Sequence, residues 1–222
     1  MVEKLKDLSL EGARFTKGRK MKFYIIQNKE MPWGDYGDAL CYGYLNEMGN
    51  DYKTVLETPE LERTGPYIPE LYETNSTKIL AIDFIKDILE SNDLKGIENY
   101  TKVIKKKIVK IDWKKWDLDA EDPAYYPASG EPEDYIEEGY HNEALADSMP
   151  EVFCLNIEKK YTLKEISDIT DYDYTNLRLE ETPSLDIFNP LNKLYTIVSE
   201  RFKKILERTG VATVDFLEIK VI

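Results

Sequence analysis

The chain has 222 residues, enough for one large domain or two small ones, and it is 42 % hydrophobic and 12 % aromatic, a globular composition. It carries 43 Asp+Glu against 30 Lys+Arg, net −13, which disfavours nucleic acid and anionic membrane as partners and favours a basic partner or simple solubility. No apolar run reaches the ~18 residues of a membrane span, the first residues lack a signal-peptide core, and Cys41 and Cys154 alone make neither a disulfide framework nor a zinc site, so a cytoplasmic protein with buried thiols is expected.

Residues 1–20 are polar. Lys22–Gln27 is rich in β-branched and aromatic residues and predicts a strand. Turn chemistry follows over Glu30–Gly37, punctuated by Pro32, Gly34 and Gly37. Its Trp33 and Tyr36 are either an exposed aromatic contact or a turn that caps the core. Residues 52–75 hold three prolines and predict extended or looped chain. A helix capped by Ser76 or Thr77 is expected next, with Leu80, Ala81, Phe84, Ile85, Ile88 and Leu89 as its apolar stripe. Lys107–Trp113 alternates like a strand and belongs to a basic block of Lys102, Lys105, Lys106, Lys107, Lys110, Lys114 and Lys115.

An acidic stretch follows at once. Trp116–Glu158 holds 13 carboxylates and no Lys or Arg, so the whole excess charge lies there. It carries Pro123, Pro127, Pro132 and Pro150, and its first half is not expected to form a regular element. The two charged blocks are contiguous and predict a charged strand surface paired with the acidic segment. Val152–Ile157 predicts a strand, and Thr162 with Glu165 fits a helix-opening capping box. The clearest helix spans 191–208, with Leu191, Leu194, Tyr195, Val198, Phe202, Ile205 and Leu206 on one side and Gly210 at its C-terminal stop. In the closing strand, Leu217, Ile219 and Val221 alternate with Glu218 and Lys220.

Part of the chain occurs twice. Residues 58–66 and 182–190 both read Thr-Pro-x-Leu-x4-Pro, and Ile88-Leu89-Glu90 recurs as Ile205-Leu206-Glu207. Each helix end leads into a turn and a strand. The fold class expected is α+β, a mixed or antiparallel sheet with two related helix–strand modules from an internal duplication. The divisions expected are an N-terminal strand and turn region (1–55), a first module (56–115), an acidic Tyr/Pro-rich excursion (116–158) and a second module (159–222), which can all belong to one domain.

No nucleotide-binding glycine loop or Gly-x-Ser-x-Gly elbow is present. His141, the one histidine, is a general-base candidate or a solvated loop residue. Asp117, Asp119, Glu121 and Asp122 lack the spacing of a calcium loop. No catalytic, metal or cofactor residue is assigned and no cofactor is expected.

Leu194–Phe202, with Val198-Ser199-Glu200-Arg201 in it, leads to Ile205-Leu206 and then Gly210-Val211-x-x-Val214-x-Phe216. This run, with Phe153–Ile157 and the degenerate earlier copy, resembles the immunity protein eleven family of bacterial polymorphic toxin systems. The resemblance covers roughly residues 56–222. The first copy departs from it, with Ala81-Ile82-Asp83-Phe84 in place of Val-Ser-Glu-Arg. What the resemblance implies is a non-catalytic protein that binds and neutralises a cognate toxin.

The candidate contact residues are Tyr125, Tyr126, Glu133, Asp134, Tyr135, Glu137, Glu138 and Tyr140, with Trp33 and Tyr36 as a second set; a basic partner suits them. The other reading of the segment is a solvated loop. The alternatives of function are a structural or regulatory interaction module without a toxin, and a hydrolase using carboxylates of the acidic segment.

Overall fold

The computed structural model describes residues 21–49, 53–74, 78–165 and 177–221. In chain order the described elements begin with β1 (Phe23–Asn28), α1 (Asp35–Tyr42), β2 (Tyr44–Met48), β3 (Val55–Gly65), β4 (Leu71–Glu73), β5 (Ile79–Ile82), α2 (Asp83–Ser91), β6 (Ile97–Lys102) and β7 (Ile104–Lys110). After a 3₁₀ turn at Trp113–Lys115 come α3 (Asp134–Glu137), α4 (Glu143–Ser148), β8 (Val152–Ile157), β9 (Leu163–Glu165), β10 (Leu177–Leu179), β11 (Ile187–Phe188), β12 (Thr196–Ser199), α5 (Glu200–Thr209) and β13 (Val214–Val221). The molecule is a strand-rich mixture of helix and sheet. Its three sheets run β11-β12-β1-β13-β10-β9, β2-β3-β7 and β4-β5-β8-β6. They are mixed: β3 pairs β7 and β10 pairs β13 in parallel, and the other pairs are antiparallel.

The expected strands at 22–27, 152–157 and 211–222 form, the last starting at Val214. β1 and β8 are interior strands of their sheets, and buried residues on both of their faces match their largely apolar sequences. Tyr24 and Ile26 of β1 face one core with Ile85 and Leu89 of α2 and Phe202, Ile205 and Leu206 of α5. Phe23 and Ile25 face a second core with Leu163, Leu177 and Ile219. A third core gathers Leu40, Leu61, Ile108, Trp113, Val152 and Cys154. Both thiols are free and buried.

Both helices are shorter than the sequence suggests. α5 starts at Glu200, not near Leu191, because Thr196–Ser199 is a strand. Leu191 and Leu194, expected to be buried, are 66 % and 79 % exposed. Likewise Leu80 and Ala81 lie in β5, and Phe84 on α2 is exposed. In both places a buried strand runs directly into an amphipathic helix, and an apolar run does not mark the point where the period changes. The expected caps at Ser76 and Thr77 lie outside the described residues; α2 is entered from Ile82. Thr162 and Glu165 open no helix, since Leu163–Glu165 is β9; residues 166–176 lie outside the described residues. Residues 55–65 form one long strand despite Pro59. Pairing with β7 begins only at Glu60, and the register with β2 shifts between Asn46 and Met48, so the missing N–H is tolerated there.

One arrangement occurs twice. β4 lies antiparallel to β5, β5 enters α2, and β6 returns on the far side of β8. In the same way β11 lies antiparallel to β12, β12 enters α5, and β13 returns on the far side of β1. Corresponding contacts match. The Asp83 N–H donates to the Glu151 carbonyl and the Glu200 N–H to the Lys22 carbonyl, each at 2.9 Å. Lys86 sits over Tyr100 and Phe153 beside Glu90; Lys203 sits over Phe216 and Tyr24 beside Glu207. The Thr-Pro motifs do not correspond: Pro59 is in β3, whereas Pro183 precedes β11. Leu71-Tyr72 of β4 is the counterpart of Ile187-Phe188.

The Ser-Glu-Arg stretch has a structural use in each residue. Ser199 caps α5, accepting from the Phe202 N–H at 3.2 Å and donating to Asp186. Glu200 pairs with Lys204 one turn on. Arg201 pairs with Asp186 at 3.0 Å and donates to the Asn92 carbonyl, which ties the second unit to the end of α2. Gly210, at φ 80°, closes the helix in the left-handed region as its position predicts.

Candidate functional site

The site grows from the turn before α1. Trp33 and Gly34 both take positive φ, 67° and 58°, and the conformation is uncommon for a large side chain. It sends the Trp33 indole N–H to the Ala120 carbonyl at 3.0 Å, across to the acidic segment. The ring lies 6.0 Å from Trp116, which packs on Tyr125 at 4.7 Å. Tyr36, on the first turn of α1, meets Tyr126 edge-on at 4.8 Å and Tyr135 at 6.4 Å. Edge-to-face geometry of this kind adds about 0.5–1.5 kcal/mol per pair beyond burial. Trp33 and Tyr36 of one candidate set and Tyr125, Tyr126 and Tyr135 of the other therefore form one aromatic cluster with Trp116, while Tyr140 stands apart from it among the described residues.

Described throughout, the acidic segment is built onto the body. Trp113 anchors its start, donating to the Leu40 carbonyl at 3.1 Å. The Tyr135 hydroxyl donates to the Tyr125 carbonyl. His141 accepts the Ile108 N–H on Nδ1 at 3.0 Å, an edge contact with β7, and Asn142 caps α4. The basic block meets the segment mostly through carbonyls. Lys105 donates to Ala146 and Met149, and Lys107 donates to Glu137. Lys102 pairs with Glu151, while Lys106 pairs with Glu60 and Glu62 of β3.

Few of the segment's carboxylates are neutralised. Of the 13, only Glu151 and Glu158 are in ion pairs among the described residues, with Lys102 and Lys160. Asp122 accepts from the Tyr126 hydroxyl at 2.7 Å, which pushes that phenol up to about 12. Burial, then Glu131, Glu133 and Asp134, raise the Tyr36 phenol. Its hydroxyl is shielded and has no hydrogen-bond partner among the described residues.

Beside the cluster lies a cleft of about 490 Å³ between the end of β1, α1 and Glu73. Asp35, Asp38, Glu73 and Glu133 line it together with Tyr42, Tyr44, Leu194 and Tyr195, and no basic residue does. Burial alone raises the Glu73 carboxyl to about 7. Asp38 is raised by burial and by its neighbours Asp35 and Glu30.

The candidates divide by exposure. Tyr125 and Tyr126 are half exposed and Tyr140 is almost fully so, while Glu133, Glu137 and Glu138 are open to solvent. Tyr135 is a correction: buried among the other rings, it orders the cluster and offers no free contact surface. Trp116, Asp35, Asp38 and Glu73 were missed. Asp35 and Asp38 flank Tyr36 on one helix turn, a signal the sequence did carry; Glu73 had none. Among the described residues no group of His, Cys, Asp and Glu has a metal-holding arrangement, and no helix is long and apolar enough to cross a membrane. No protein-family model matches the chain, and no curated protein matches it.

Proposed function

We propose that the protein acts by binding a basic protein partner with its acidic aromatic face, and that it does so as a cytoplasmic immunity protein that neutralises a cognate toxin without catalysis. One observation carries the reading. Eleven carboxylates without ion pairs among the described residues lie in one segment, which also carries the exposed Tyr125 and Tyr126 and packs against Tyr36 with its shielded hydroxyl. Like charges left unpaired on a fixed surface cost stability, and a cationic partner removes that cost while the rings provide anchors. The toxin-neutralising form of the proposal comes from the motif resemblance alone. We further infer that the two helix–strand units descend from a duplication, in which the central strand of the second unit, β1, comes from the N-terminal side of the chain. The matched contacts of Lys86 with Lys203 and of Asp83 with Glu200 support that descent.

The test is to mix the protein with the product of the neighbouring toxin-like gene. A stoichiometric complex, weakened by salt, with protection of cells expressing that product, is expected. Failure of any such complex to form at low salt would remove the proposal. The acidic cleft favours a second reading, a carboxylate-dependent hydrolase, because Glu73 holds its proton near neutrality. Recovery of the partner settles between them: a binder returns it intact by mass spectrometry, whereas a hydrolase clears it when present at a small fraction of its concentration.

A further inference from the structure

A second cleft, of about 470 Å³, has the opposite character. It lies between the entry to β1, the stretch before β11 and one side of α5. Its apolar wall includes Phe23, Leu185 and Ile205, while the cations Lys22, Arg201, Lys204 and Arg208 line it with the carboxylates Asp186 and Glu200. In a chain of net charge −13, a concentration of cations on one apolar cleft needs a reason.

Structural pairing accounts for part of it. Arg201 is taken by Asp186 and the Asn92 carbonyl, and Lys204 reaches Glu200 at 2.8 Å. Lys22 reaches Glu218 at 2.7 Å, a half-exposed pair that contributes little. Arg208 has no ion pair among the described residues. It stands one turn from Lys204, so the two side chains share a face of the helix.

The first unit is an internal control. Aligning the two units residue by residue from the matched contacts of Asp83 and Glu200 sets Lys22 against Glu151, Arg201 against Phe84, Lys204 against Asp87 and Arg208 against Ser91. The same frame therefore folds with no cation at any of these four positions. Arg201 has its own structural use, but the frame does not demand cations at the exposed positions of Lys204 and Arg208, and their presence side by side on the cleft points to something they hold.

We infer that this cleft binds an amphipathic anion, with an apolar body against Phe23, Leu185 and Ile205 and a carboxylate or phosphate head between Lys204 and Arg208. The volume lies within the range of small-molecule sites, as does the combination of an apolar wall with a few convergent polar groups. This site is separate from the acidic face, so either can fail without the other.

The experiment is calorimetric titration of the full chain with decanoate and with decyl phosphate below their micelle concentrations. Decanol and inorganic phosphate are the controls, and amide shifts of Phe23 and Ser199–Arg208 locate the site. One amphiphile per chain is expected to bind at least roughly tenfold more tightly than either control, because a charge-assisted contact adds to the apolar burial. Arg208→Gln and Lys204→Gln, both exposed, should each weaken binding by about fivefold to tenfold with the urea midpoint unchanged. The tighter of the two heads assigns the ligand class, and equal affinities assign the site to the shared anionic charge. Decanol binding as tightly as decanoate, unchanged affinity in both variants, or no shifted amides would each overturn the inference.

Discussion

At the residue scale, two buried charges tell opposite stories. Arg63 is fully buried and has no ion pair among the described residues. Its guanidinium donates instead to the carbonyls of Cys41 at 2.8 Å, Tyr67 at 2.6 Å and Thr64 at 2.9 Å, and so ties α1 to β3 under the aromatic face. The planar fork suits three fixed acceptors, and a lysine ammonium does not reproduce it. Arg63→Met leaves those carbonyls unpaired and should cost about 3–5 kcal/mol in urea unfolding; Arg63→Lys should recover only part. An unchanged midpoint for the Met variant would show that the contacts are dispensable. Glu73 works the other way. Its carboxyl rises from 4.5 to about 7 on folding because burial disfavours the charge. The folded chain therefore binds the proton more tightly than the unfolded one, so Glu73's contribution is fully present below pH 4.5 and is lost as pH rises through about 7. Glu73→Gln should stabilise the protein by about 1–3 kcal/mol at pH 8 and leave it unchanged at pH 4. Equal effects at both pH values would place the carboxyl in solvent.

At the element scale, the matched helices α2 and α5 separate what is packed from what only looks apolar. Phe202 has no exposure and faces the core shared by both helices, while Phe84 is 46 % exposed on the outer side of α2. Phe202→Ala should cost about 3–5 kcal/mol in chemical unfolding, and Phe84→Ala less than about 0.5. Similar losses in both would mean that the helix faces are misassigned. The same pair shows what the sequence could reveal. Ile85, Ile88, Leu89, Phe202, Ile205 and Leu206 were legible by helical spacing, and Gly210 by its position. The helix starts were not, because β5 and β12 are buried strands whose residues continue the apolar run. Ser199, inside the expected 191–208 span, is the cap that marks where the helix begins. The aromatic cluster was legible only in pieces. Trp33 and Tyr36 stand far from Tyr125 and Tyr126 in the chain, and only the folding of the acidic segment across α1 joins them. Glu73 was invisible for the same reason: its environment is made by β1 and α1, not by its neighbours in sequence.

At the scale of the whole molecule, charge is separated. The β-rich body is laced with pairs such as Lys106–Glu60, Lys164–Glu180 and Lys204–Glu200, while 11 of the 13 carboxylates of the acidic segment have no ion pair among the described residues. A body with one strongly negative face has an oriented field, and such a field acts on encounter more than on the lifetime of a complex. Glu133, Glu137 and Glu138 stand in solvent with Asp134 beside them, and the proposal makes them a charged rim for the exposed Tyr125 and Tyr126. Changing all four to Gln or Asn should slow association with a basic partner by roughly tenfold at low salt and flatten its dependence on ionic strength, with dissociation little changed. The fold should be retained, since exposed charges away from the core usually change stability by less than about 0.5 kcal/mol. Tyr126→Ala makes the complementary change. It removes an anchor packed edge-on against Tyr36, and it should speed dissociation while leaving the salt dependence of association intact. Stopped-flow rates across low and moderate salt measure both effects. If the quadruple variant associates as fast as wild type at every salt, the negative face serves solubility alone, and recognition then rests on the exposed rings and on Leu194 at the edge of the cleft.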